Sequence, residues 1–335
     1  MELELAQKIL KKFKIDNPIL SINQNGTGLI NHTFELSTHE NKYILQRINT
    51  QVFPNYQQGL ENIILIKKWL KKTNYSYDFP SPLQNQYLNF DNKIWRLLPY
   101  VKNSKSINKV SKIKELEEAV KCMTEFYRCL QDFPIENLNV TIPNFHSGEH
   151  KIMAFNKALK NSSELRKKNA EPLISEIEKN LKILIKWDEI CRALPKRVVH
   201  YDAKINNFLF EKTTNKVIAL IDLDTLMPGC VLSDIGDMIR TYSNTIGEES
   251  KDISKVTCNK NIVAAILNGF KDSLTLKETE YLNFGGLAIT FIQSVRFLTD
   301  YLNDDIYYKT NYENQNLVKA NNQYQLFISL NKLNQ

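Results

Sequence analysis

A chain of 335 residues, 42% hydrophobic and 24% charged, has an ordinary globular composition and is long enough for a sizeable core and two lobes. Its net charge of +7 comes from lysines spread at helical spacing between apolar residues, a pattern of solvated helix faces and not of a nucleic-acid-binding block. No apolar run approaches a membrane span, the first residues are too charged for a signal peptide, and the five cysteines form no C-x-x-C pair, so a reduced, cytoplasmic chain is expected.

MELELAQKILKKF reads as an amphipathic helix, with Leu5, Ile9 and Phe13 spaced by four. NQNGTGLINHTFELST reads as strand, glycine turn, strand, and NKYILQRIN as a short strand with alternating apolar residues. GLENIILIKKWLKK is a helix with Ile63, Ile66 and Leu70 on one face and lysines at its C-terminal end, where the helix dipole favours them. NQYLNF and KIWRLLPYV pair as a hairpin that turns at Asp91-Asn92. The first hundred residues are thus expected to form a small sheet with one long helix.

Beyond a connector at 96–106 the pattern becomes helical. KIKELEEAVKCMTEFYRCLQDF, HKIMAFNKALKNS and EPLISEIEKNLKILIKWDEICRAL each read as one helix. A compact strand–loop–strand region follows at 197–235. Residues 252–335 are helical again and end in NQNLVKANNQYQLFISLNKL. The expected architecture is α+β and bilobal, with a small β-rich lobe over 1–101 and a larger, mainly helical lobe over 102–335.

The chemistry concentrates in HYDAKINNFLF and IALIDLDTLMPG. Here Asp202, Asn206, Asn207, Asp222 and Asp224 stand among strand-like apolar runs. Buried carboxylates are costly unless paired or metal-bound, so the cluster reads as a site. Phosphoryl transfer needs a carboxylate that orients the attacking hydroxyl. It also needs an amide oxygen and a second carboxylate that hold Mg²⁺ against nucleotide phosphates. H-x-D-x-x-x-x-N followed by an aspartate at a strand end supplies those groups on one hairpin. The sequence lacks H-E-x-x-H, G-x-S-x-G and G-x-x-x-x-G-K-[ST], which excludes the zinc-protease, acyl-transfer and P-loop patterns. Gly26-Thr27-Gly28 lacks a third glycine and reads either as a hairpin turn or as a loop over phosphates.

HYDAKINNFLF and IALIDLD resemble the H-G-D-x-x-x-x-N and I-D-x-(D/E) segments of the aminoglycoside-phosphotransferase and choline-kinase superfamily, which has the bilobal protein-kinase-like fold. Within it, KYILQRINTQVFPN with GLENI, KIWRLLPYV, IDLDTLMPGCVLSDIGDMIRTYSNT and RFLTDYLNDDIYYKTNYENQNLVKA resemble N-acetylhexosamine 1-kinases. The resemblance implies ATP and Mg²⁺ as cofactors, with Asp202 orienting the acceptor hydroxyl and Asn207 and Asp222 as metal ligands. Asp224 becomes a supporting or alternate ligand and His200 a structural residue. Lys204 lies where protein kinases direct a lysine toward the transferring phosphate. Gly26 and Gly28 would close over the phosphates. Arg47 would supply the small-lobe cation, with Glu61 as its ion-pair partner and Leu45 over adenine on the same strand face; the alternative is that Gln46, on the opposite face, is the inward residue. Leu98 and Tyr100 mark the connector beside the adenine edge.

D-F-G and A-P-E are absent, which favours a small-molecule acceptor over a protein. By the same resemblance His32, Asn244, Arg296, Tyr307 and Tyr308 line the acceptor pocket, and the acceptor is N-acetylglucosamine or N-acetylgalactosamine phosphorylated at the anomeric hydroxyl. Three alternatives stay open: the same chemistry on choline or ethanolamine, on an aminoglycoside, or on another sugar. Asp300, Asp304 and Asp305 are a candidate carboxylate-rich pocket for a cationic acceptor. A nucleotide-binding protein without turnover is a further reading.

Overall fold

The computed structural model describes residues 1–24 and 30–333, so Gly26 and Gly28 lie outside the described residues. Helix α1 (Leu3–Lys12) buries Ala6, Ile9 and Leu10 along the stripe that its spacing sets. Strands β1 (Ile19–Gln24), β2 (His32–Thr38) and β3 (Lys42–Arg47) follow, then helix α2 (Tyr56–Lys72) and strands β4 (Leu88–Phe90) and β5 (Lys93–Pro99). β4 and β5 form the expected hairpin, and Asp91 and Asn92 at its turn have φ of 54° and 53°, the left-handed values a tight two-residue turn requires. The sheet is antiparallel in the order β1-β2-β3-β5-β4.

Register decides what each face of this sheet presents, because cross-strand partners share a face. His32, Arg47 and Trp95 form one row, Phe34, Leu45 and Leu97 the next, and Leu36, Tyr43 and Pro99 a third. Leu36, Leu45, Trp95 and Leu97 of these rows are buried with Ala6, Ile9, Leu10 and Phe13, so this is the α1 face. The alternate rows, Thr33–Gln46–Arg96 and Glu35–Ile44–Leu98, face the cleft.

The long helix expected within the first hundred residues is α2, and its apolar face packs with the other lobe. Ile63, Ile66 and Leu70 of α2 belong to the hydrophobic core of the helical lobe. Asn62, fully buried on the same helix, donates to the carbonyls of Asn139 and Leu226, both at 2.9 Å. The stripes of α1 and α2 look alike in sequence, but buried amide donors need carbonyl partners, and only the helical lobe offers them to Asn62.

The chain then enters that lobe through β6 (Ser104–Lys105), α3 (Ile113–Cys129), α4 (Gly148–Asn161), α5 (Glu164–Asn180) and α6 (Lys182–Ala193). The single helix expected over 171–194 is two, dividing at Leu181, and the first begins before Pro172 and runs through it. Strand β7 (Arg197–Val199) leads to the polar cluster, followed by β8 (Phe208–Glu211), β9 (Val217–Leu220) and β10 (Met227–Gly229). β6, β8 and β9 make one small sheet, and β7 pairs with β10. Helices α7 (Leu232–Ser243), α8 (Lys260–Phe270), α9 (Leu276–Glu280), α10 (Leu282–Leu302) and α11 (Gln315–Asn331) complete the lobe. α7 and α10 approach closely enough that a Cβ on Gly236 would lie 2.6 Å from the Gly285 carbonyl oxygen, so only glycine fits there. Among the described residues no helix is long and apolar enough to cross a membrane.

Candidate active site

The loop after β7 is held from below by one buried carboxylate. Asp234 of α7 accepts the backbone N–H groups of His200 (2.8 Å) and Tyr201 (2.6 Å) and the hydroxyl of Tyr127 (2.5 Å). These bonds hold Tyr201 at φ 64°, a left-handed conformation that costs a bulky residue roughly 1–3 kcal/mol. The tight turn also needs Gly229 of β10, where any Cβ would collide with the Tyr201 ring. His200 is fully buried, with Nε2 at 2.9 Å from the Ile221 carbonyl oxygen and Nδ1 accepting the N–H of Asp202 at 3.3 Å. It ties the loop to the end of β9 and is structural, as its strand-flanking position implied.

Asp202 and Asn207 meet through that loop. Asn207 Nδ2 donates to the Asp202 carbonyl at 2.7 Å and to Oδ2 at 3.0 Å, while Lys204 Nζ lies 2.8 Å from Oδ1. Burial opposes the charge of Asp202, but Lys204 above all, then His200 and Asn207, outweigh it and lower the carboxyl below its ordinary value. Asp202 is therefore ionised at neutral pH.

Asp222 follows β9 in a left-handed conformation, φ 60° and ψ 60°, and is exposed in the cleft. The protein packed around it, then the charges of Asp224 and Asp202, push its carboxyl up to about 6. A divalent cation would relieve that accumulation of negative charge. Asn207 has committed Nδ2 to Asp202, which leaves Oδ1 uncommitted as an oxygen donor. Asn207 Oδ1 and the Asp222 carboxylate are hard oxygen donors and fit Mg²⁺; among the described residues no cluster of three His, Cys, Asp or Glu offers another metal site.

Asp224 is different. It is 8% exposed, and Arg96 of β5 grips both its oxygens, NH2 to Oδ2 at 2.8 Å and NH1 to Oδ1, while Asn31 donates to Oδ2 at 3.0 Å. Arg96 Nε donates to Gln46 Oε1 at 2.7 Å, and NH1 also reaches the Tyr87 hydroxyl at 3.3 Å. Asp224 thus joins the sheet to the hairpin that carries Asp202 and Asp222, with both oxygens bonded.

Several expectations need correction. Leu45 and Arg47 do share a face, but it is the α1 face. Leu45 is packed against α1 and does not cover adenine. Gln46 is the residue of that strand directed at the cleft, where it bonds Arg96 and Thr33. Glu61 makes no ion pair with Arg47. It is exposed and accepts from Asn139 Nδ2 at 3.0 Å. The charged pair joining the lobes is Arg96–Asp224 instead. Asn244 is 3% exposed and turns its amide inward, Oδ1 on the N–H groups of Ile246 and Gly247 and Nδ2 on Asn322 at 2.9 Å, so it builds a turn in place of lining a pocket. Leu98 keeps its place on the cleft face, in the row of Ile44, and Tyr100 lies just past β5 with the Lys42 ammonium 5.2 Å from its ring.

A chain of contacts runs from the Asp202 loop to the late helices, through the residues expected to meet the acceptor. The Tyr201 ring meets Phe145 and His146 edge-on, at 5.5 and 5.1 Å. The Arg296 guanidinium lies over the Phe145 ring at 5.1 Å and the Tyr308 ring at 5.7 Å, and donates to Gln293 at 3.0 Å. Tyr307 packs edge-on against Tyr308, and Asp300 accepts the backbone N–H groups of both. Burial, then the Arg296 charge, hold Lys151 down at about 7. Burial and the same arginine keep His146 well below its ordinary value. His32 opens β2 in the row of Arg47 and Trp95, on the α1 face of the sheet and not the cleft face, and burial, then Arg47 and Lys309, lower its value.

Sequence reasoning missed Arg96, Asp234, Phe145, His146 and Lys151. The first two had a signal: an arginine inside the apolar run IWRLLP, and carboxylates inside the apolar helix VLSDIGDMI, must find partners when buried. The others come from the loop before α4 and its first turn and carried none.

Residues 21–253, more than half of the chain, match the phosphotransferase enzyme family. The fold is shared with the GDP complex of an aminoglycoside 2′-phosphotransferase, at TM-score 0.66 and 14% identity over 100% of this chain and 98% of that one. Spectinomycin phosphotransferase with ADP and spectinomycin superposes at 0.61, with 12% identity over 96% and 98%. A choline kinase from Streptococcus pneumoniae does so at 0.60, with 12% identity over 97% and 98%.

Proposed function

The chain belongs to the phosphotransferase enzyme family, and we propose that it is an ATP- and magnesium-dependent kinase that phosphorylates the anomeric hydroxyl of N-acetylhexosamines. In this reading residues 1–101 form the nucleotide-binding lobe, with Ile44 and Leu98 of the cleft face near adenine and the connector at Tyr100 beside its edge. Residues 102–335 carry catalysis and acceptor binding.

Asp202 accepts a hydrogen bond from the acceptor hydroxyl and aims its oxygen at the γ-phosphorus. As the oxygen–phosphorus bond forms and the bond to the β-phosphate breaks, the hydroxyl proton passes to Asp202. A carboxylate held below its ordinary value by Lys204 is a weak base, so it orients the hydroxyl first and takes the proton late. That order suits a loose transition state in which the nucleophile needs little activation. Magnesium, when bound, neutralises phosphate charge; Asn207 and Asp222 would hold it.

One observation carries the choice of acceptor. The three carboxylates of the late region that offered a pocket for a cationic acceptor are already engaged: Asp300 by the N–H groups of Tyr307 and Tyr308 and by Asn316, and Asp304 and Asp305 by Arg166. Around Arg296 stand aromatic rings and amide groups, from Phe145, Tyr308 and Gln293. These surroundings suit a neutral polyol and oppose a polyamine. The test is ADP release by the purified protein across sugars, amino alcohols and aminoglycosides. N-acetylglucosamine or N-acetylgalactosamine should give an acid-labile phosphate with no reducing end. Turnover of choline or an aminoglycoside with neither sugar would overturn the acceptor reading.

A further inference from the structure

Helix α7 does more than hold the catalytic loop. Asp234 grips its backbone, and Tyr242, two turns on, donates its hydroxyl to the Ala203 carbonyl at 2.9 Å. Between them stands Asp237, 5% exposed. Its Oδ1 receives Arg240 Nε at 3.0 Å and NH2 at 2.8 Å, whereas Oδ2 has no hydrogen-bond partner. It is the only carboxylate oxygen among the buried, unpartnered side-chain atoms of the described residues. Leaving such an atom unpaired is among the costlier defects a core can carry. Arg240 is not placed to repair it, since its third nitrogen is taken by Glu248 and by Gln323 at 3.2 Å.

The surroundings say what the oxygen is for. Asp237 lies within electrostatic reach of Asp202 and Lys204 on the catalytic loop and of Arg296 in the acceptor pocket. Burial pushes its own carboxyl up, and Arg240 opposes that shift. We propose that Asp237 binds the acceptor: Oδ2 takes a hydrogen bond from a hydroxyl or amide N–H of the molecule whose hydroxyl Asp202 orients. This rests on the kinase reading above but not on the acceptor being a sugar.

Asp237→Asn is the informative change, because the asparagine keeps an oxygen for Arg240 and puts a donor where Oδ2 stood. The acceptor KM should rise by about tenfold or more with the KM for ATP within about twofold, the loss expected of one charged hydrogen bond. Glu248→Gln, which loosens another partner of the same guanidinium, should leave the acceptor KM within about twofold. An unchanged acceptor KM in folded Asp237→Asn overturns the proposal. So do equal rises in both variants, which would assign the effect to the arginine network. Should Asp237→Asn fail to fold, deoxy and N-methyl analogues of the acceptor are compared on the wild type, and if none loses about tenfold in KM the proposal falls. Turnover of an amino alcohol or aminoglycoside instead of an N-acetylhexosamine overturns the sugar reading alone, and the same comparison is then made with that acceptor. No turnover with any acceptor overturns both.

Discussion

Asp202 and Asp224 each meet a cation at the cleft, but in opposite surroundings. The Asp202–Lys204 pair is 27% and 37% exposed, and the Asp224–Arg96 pair 8% and 3%. Water competes for the first pair, so lysine and carboxylate can separate at small cost and make new partners of a phosphate oxygen or a hydroxyl. The second is sealed and two-pronged, and removing either member strands a buried charge. Asp222, two residues before Asp224, has neither kind of partner among the described residues and is raised to about 6. Three aspartates of like chemistry therefore sit in three surroundings that differ in exposure and pairing, and the proposed mechanism gives each a different role: reactive for Asp202, cation-seeking for Asp222 and structural for Asp224.

That contrast can be broken at each position. Asp202→Asn should cut kcat by about 10²–10⁴ without shifting the unfolding midpoint, since a positioned acid–base group is lost and no buried partner is stranded. Steady-state rates and thermal melts of the same preparation check both halves. Asp224→Ala should instead destabilise the fold by about 3–5 kcal/mol in urea unfolding, and Arg96→Met in that background should recover much of the loss. A stable Asp224→Ala protein with normal unfolding would mean the pair is not the lock described here.

The cation-seeking position predicts smaller, conditional effects. Asn207→Ala and Asp222→Ala should each raise the Mg²⁺ concentration for half-maximal activity, because each removes an oxygen donor. The same requirement in the wild type should rise as pH falls through about 6, where Asp222 takes up its proton and loses the charge that attracts metal. A metal requirement flat between pH 5 and 8 would contradict this placement. Arg296→Ala should raise the acceptor KM by the equivalent of about 1–3 kcal/mol while sparing that for ATP. The smallest effect belongs to Glu61→Ala, which removes an exposed carboxylate that accepts from Asn139 and should change stability by no more than about 0.5 kcal/mol.

Much of this was legible in the chain because it is local. The Asp91-Asn92 turn, the amphipathic stripe of α1 and the loop that brings Asn207 back onto Asp202 depend on residues within a few positions of one another, whose geometry the backbone limits to a few forms. The α+β, two-lobed architecture followed from where the apolar period changes along the chain. Long-range choices were not legible. Arg96 and Asp224 are 128 residues apart, and nothing near either names the other. Leu45 and Arg47 alternate as a strand must, but which face meets α1 depends on where that helix packs. Asn244 reads as a free polar group until Asn322, 78 residues on, takes its amide. Local sequence determined which groups the catalytic hairpin carries and at what spacing. The tertiary structure alone decided which of them are paired, because burial and the arrival of a partner from a distant element set the cost of a charge.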